Sequence, residues 1–127
     1  MISIFLILFN FIGTKDEIFV PFAKVDTMNS HNFSIHQKCF EKWSKSKKFV
    51  PIYLGDEFVG AGMCSHADEK GWIFAKVFLN RKIEPEYSLR MNMKVHHCEF
   101  NENGCYWQIN DSEITKFVFL RNASKYE

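Results

Sequence analysis

The stretch YSLRMNMKVHHC, residues 87–98, decides the fold. Tyr87, Leu89, Met91, Met93, Val95 and His97 alternate with Ser88, Arg90, Asn92, Lys94, His96 and Cys98. A period of two fits a half-buried β-strand whose odd-numbered members face the core. Beyond it come Asn103-Gly104 and then Cys105, Trp107 and Ile109. A two-residue loop would set those three beside the polar face. A three-residue loop over 102–104, with Gly104 left-handed, sets them beside Val95 and His97, and this is the expected turn. A last strand over 113–120 is expected after a turn at Asn110-Asp111-Ser112, with a tail that frays from Arg121.

Residues 49–54 and 57–64 read as two strands joined by Gly55-Asp56, a two-residue hairpin turn of the primed kind. Gly60 and Gly62 leave one side of the second strand bare, as a tight corner or a close backbone approach requires. Residues 67–71 form a polar turn, and 72–79 is apolar on both faces, the pattern of a strand covered on each side. Upstream, 17–26 reads as a strand in which Pro21 favours an edge or a bulge. Between these, Ser34 and Gln37 have the spacing of a capping box. They open a helix over 34–47, with Ile35, Cys39, Phe40 and Trp43 on one face and Lys38, Glu41, Lys42 and Lys45 on the other. The expected fold is mainly β (α+β): a compact antiparallel barrel or sandwich of six to seven strands carrying one amphipathic helix.

The chain has 127 residues, enough for a single domain with a real core, assigned here to 14–127. Lys and Arg total 16 against 15 for Asp and Glu, so no strong positive field is available and the balance argues against nucleic acid as the partner. Residues 1–13 open with an apolar run that reads as a first strand, an upstream extension or a signal-like segment. It lacks a basic leading region and a small-residue cleavage site, and it is too short to span a bilayer as a helix. Cys39, Cys64, Cys98 and Cys105 form no CxxC pair, which favours a reducing compartment. Sequons at Asn32, Asn110 and Asn122 lend support to the alternative, export.

Five His and four Cys make metal binding the first chemistry to weigh. A tetrahedral zinc site needs four donors converging at about 2.0 to 2.3 Å. Alternation puts His97 with Cys105 on one face and His96 with Cys98 on the other, so no more than two of these hairpin ligands point together. Neither a metal nor another cofactor is therefore expected. For nucleophilic catalysis the candidates are Ser88 or Cys64 as nucleophile and His66 or His97 as base, a pairing that geometry alone can establish. No P-loop, nucleophile elbow or dinucleotide fingerprint is present. Asp16-Glu17, Asp56-Glu57 and Asp68-Glu69 fall in expected turns, where solvated charge is ordinary. Trp43, Trp72 and Trp107 are all expected to pack inside.

The order of elements from Phe22 onward resembles the capsid-maturation (prohead) proteases of tailed bacteriophages, whose domain is a β-barrel related to herpesvirus assemblins. The stretches concerned are PFAKVDTMNSHNFSIHQKCFEKW (21–43), FVPIYLGDEFVGAGMCSHADEKGWIFAKVFL (49–79), YSLRMNMKV (87–95) and INDSEITKFVFLRN (109–122). The resemblance implies that Ser88 stands where the family has its nucleophilic serine. Where the family has its catalytic histidine this chain has Leu54, Gly55 and Asp56, and the helix between the strands shrinks to NRKIEPE (80–86). A serine without its base is not activated. The resemblance thus implies a barrel that keeps the scaffold without the protease. Such a protein would act in head or virion assembly through contacts with capsid or scaffold proteins, in the host cytoplasm or the virion and away from membranes, with its oligomeric state left open. The alternatives are a small serine or cysteine protease of the capsid-maturation type, and a secreted, glycosylated binding protein with Cys98 and Cys105 in a disulfide.

Overall fold

The computed structural model describes residues 18–29 and 32–121. The expectations for 1–13, for Asn122 and for the tail beyond Arg121 lie outside them. In chain order the elements are β1 (Ile18–Lys24), β2 (Phe33–Ile35), α1 (Gln37–Ser46), β3 (Val50–Leu54), β4 (Glu57–Ala67), β5 (Trp72–Leu79), β6 (Tyr87–Asn101) and β7 (Tyr106–Arg121). They form one curled sheet in the order β1-β5-β4-β3-β7-β2, with β6 on the other edge of β7. Among the described residues the fold is mainly β with one helix, as the periodicities indicate, and its sheet is a half-barrel.

The sheet is mixed because β7 takes two parallel neighbours on one edge. β2 pairs with it at Phe33↔Trp107 to Ile35↔Ile109, and β3 at Ile52↔Phe117 to Leu54↔Phe119. The helix that joins β2 to β3 fills the gap between them. There the side chains of α1 serve backbone acceptors of β7: Cys39 Sγ donates to the Ile109 carbonyl at 3.3 Å and Trp43 Nε1 to the Ser112 carbonyl at 2.9 Å. Buried carbonyls must find donors, and a helix seated here supplies them. Cys39 and Trp43 join Ile52, Val59, Ile73, Val77, Ile109 and Phe117 in the core. Burying side chains of this size contributes about 1.5 to 3 kcal/mol each.

Several expected boundaries shift for physical reasons. Residues 33–35 pair with β7 as a strand, so Ser34 is buried and the helix is capped by His36, whose Nδ1 accepts from the Lys38 amide at 3.0 Å. The expected turn at 110–112 is strand, because Ser112 is fully buried against Cys39 and its carbonyl is held by Trp43. Pro21 does sit on an edge strand, with a register shift between it and Ala23. Gly55 has φ +61 in the β3–β4 turn, as a primed hairpin needs. Gly60 marks a close backbone approach, since a Cβ there would lie 2.1 Å from the Phe78 carbonyl oxygen.

The β6–β7 hairpin departs most from the alternation. Its loop has four residues, 102–105, and the left-handed residue is Cys105 (φ 54), where Gly104 was expected. Asn101 sets this tip: its side chain accepts from the Gly104 amide at 3.0 Å and donates to the Tyr106 hydroxyl at 3.2 Å. Register shifts at Asn92/Met93, Val95/His97 and His97/Cys98 change which side chains face inward. Leu89, Met91 and Met93 meet the core, and beyond the shifts Cys98 does. Val95 is exposed and so is His97. Trp43 is buried as expected, but Trp72 and Trp107 are exposed.

Candidate functional site

The four sequence-selected catalytic candidates do not converge. Cys64 and His66 lie on β4 on either side of a register shift opposite β5, which turns Cys64 inward and leaves His66 on the surface. Cys64 floors a cleft of about 90 Å³ beneath α1, bordered by Trp43, Val50 and Phe117. Burial pushes its thiol up to about 12, so at neutral pH it is held protonated and is a poor nucleophile. The His66 ring stacks on Phe74 (centroids 5.0 Å apart, 7° between planes) and meets the edge of Phe19. Its Nδ1 lies 3.0 Å from the neighbouring Ser65 hydroxyl. Ser88 is half-buried on β6 opposite Leu120. His97 stands opposite Asp111 with its Nε2 3.2 Å from Glu99. Among the described residues, no hydrogen bond joins Ser88 or Cys64 to either histidine.

The other candidate chemistry is equally dispersed. No group of three or more His, Cys, Asp or Glu among the described residues is placed to hold a metal ion. All four cysteines are free thiols. Cys98 faces Ile109 in the ladder while Cys105 lies in the loop, so the disulfide expected for a secreted form is not made. Of the sequons, Asn32 is exposed and Asn110 is half-buried in β7 with a buried, unpartnered Oδ1.

What the structure does bring together is an apolar cluster on a protruding ribbon. Beyond Met93 most of β6 is solvent-exposed, and the loop at 102–105 is wholly so. On this arm Phe100 and Trp107 pair across the two strands edge to face, with centroids 5.2 Å apart. They are 48% and 42% exposed, and Val95, five residues back along β6, is 43% exposed. At the root of the arm lies a charged collar. Lys42 and Asp111 form a 2.7 Å ion pair that holds the Asp111 carboxyl below its usual value and the Lys42 ammonium above its own. His96 lies 3.5 Å from Glu113 beside it. The arm escapes a reading by alternation because a bulged ribbon obeys no single parity. The signal that could have found it is the polar run Glu99, Asn101, Glu102 and Asn103, too hydrophilic to enclose Phe100 within a core.

No family model matches the chain, and no curated protein or solved structure is significantly similar to it.

Proposed function

We propose that the chain is a protein-contact module that binds through its β6–β7 arm, with virion assembly as its setting and capsid or scaffold proteins as its partners. The observation that carries this reading is the exposed Phe100–Trp107 pair near the tip of the β6–β7 ribbon. Isolated surface apolar residues are ordinary. Two large aromatic rings that pack on each other and each stay more than two-fifths exposed are a costly exposure unless something covers them, and aromatic residues are enriched where proteins meet. The protonated Cys64 thiol and the separation of Ser88 from His66 and His97 support a role without covalent catalysis. The phage setting rests on the resemblance of the element order alone.

The test is a photo-crosslinking amino acid placed at Phe100 and, as a control, at Asp56 in the exposed β3–β4 turn, with the chain produced in its native host. An adduct with another polypeptide chain from position 100, and none from 56, is the expected result. No adduct from 100, or equal adducts from both positions, overturns the reading.

A further inference from the structure

We infer that the arm's first partner is a second copy of this chain, paired antiparallel along the outer edge of β6; this rests on the arm being the contact surface. Among the described residues β6 is hydrogen-bonded to β7 alone; β1 approaches it without forming a ladder, so its other edge offers an unpaired row of backbone groups. Such edges recruit strands unless something blocks them. The sequence of the exposed stretch complements itself. Laid against its twin about an axis between His96 and His97, it sets Lys94 of each copy opposite Glu99 of the other. Met93 then meets Phe100, and Val95 meets Cys98.

The faces agree as well as the order. Cross-strand partners in a sheet project from the same side. Met93 and Cys98 both point toward the core side, and Phe100 shares the side of Trp107 and Ile109. Val95 is opposite Ser112, a buried residue, while Lys94 is opposite the exposed Glu113. Lys94 and Glu99 thus both belong to the outer face. In an unbroken strand, residues 93 and 100 would project from opposite sides and this match would fail. The shift at Val95/His97, where His96 is the extra residue on β6, supplies the change of parity and falls where the axis passes; the shift at His97/Cys98 adds its residue, Asn110, to β7. Self-pairing would draw Phe100 out of water on both arms at once and join the two sheets through β6.

Lys94 and Glu99 are exposed, so replacing them leaves the core untouched. Sedimentation of the wild type should show a dimer at micromolar concentration. Lys94→Glu and Glu99→Lys each place two like-charge pairs across the axis, and each should weaken association about ten- to a hundred-fold. The double exchange, Lys94→Glu with Glu99→Lys, restores opposite charges and should recover the dimer. A monomeric wild type, single variants that dimerise like the wild type, or a double variant that stays monomeric would each overturn the self-pairing. The crosslinker at Phe100 separates the two readings. A monomeric wild type that still gives an adduct with a different protein removes the self-pairing and keeps the arm as the interface, whereas a monomer with no adduct removes both.

Discussion

Replacing Trp43 by Phe tests the seat of the helix, because it keeps an aromatic ring and deletes one donor. Trp43 is 4% exposed, and its Nε1 is 2.9 Å from the Ser112 carbonyl in the part of β7 that neither β2 nor β3 pairs. Without the indole N–H that carbonyl is left buried beside an apolar ring, at a cost of about 1 to 3 kcal/mol. The smaller ring also enlarges the 90 Å³ cleft that Trp43 borders and loosens its contact with Phe22. Lost packing of this kind adds about 1 to 2 kcal/mol. A total near 2 to 5 kcal/mol is a large share of the stability of a domain this size. Urea unfolding followed by far-ultraviolet circular dichroism should show a lower midpoint with an unchanged slope. A midpoint within error of the wild type would refute the view that α1 is held to β7 by this bond.

Further outcomes follow from single residues. Gly60→Ala should destabilise by about 1 to 3 kcal/mol in the same assay, because the added methyl meets the Phe78 backbone oxygen and not a movable side chain. Thiol labelling at neutral pH, read by peptide mass, should modify Cys105 first and leave Cys64 and Cys39 untouched until denaturant is added, since both buried thiols are raised by desolvation. The Asp111 carboxyl, followed by NMR, should titrate below the ordinary aspartate range, and Lys42→Ala should return it upward. Since the folded carboxyl is depressed, its contribution to stability is present above the unfolded aspartate value and is lost as pH falls through the folded one. Ser88→Ala and Cys64→Ala should leave the processing of a co-expressed capsid protein unchanged, whereas slowed cleavage in either variant would revive the protease alternative.

Much of the fold was legible wherever one face of an element meets the core along its whole length. The apolar stripe ending at Trp43, the Gly55-Asp56 turn and the edge proline at 21 all carry local signals that packing reinforces. The failures cluster on β7 and the arm. Asn110-Asp111-Ser112 has turn chemistry, but in this fold Asp111 and Ser112 bond to α1, some 70 positions upstream, and no local pattern reports that. The 102–105 loop is longer than the alternation implies because Asn101, and not Gly104, organises it. Ser88, Cys64, His66 and His97 are individually plausible catalytic residues. Whether they meet depends on which side of a bulge each falls, and a single sequence does not encode bulges in its alternation. The exposed aromatic pair lay hidden for the same reason, since Phe and Trp near a strand end read as core until the strand is seen to pass it.

Hydroxyl-radical footprinting of Phe100 and Trp107, in the dilute isolated chain and in its native assembly, tests the interface most directly. The proposed interface predicts rapid oxidation of both rings in isolation and strong protection on assembly, with the exposed β3–β4 turn unchanged. Protection of both rings in the dilute monomer, or equal oxidation in the two states, would contradict it.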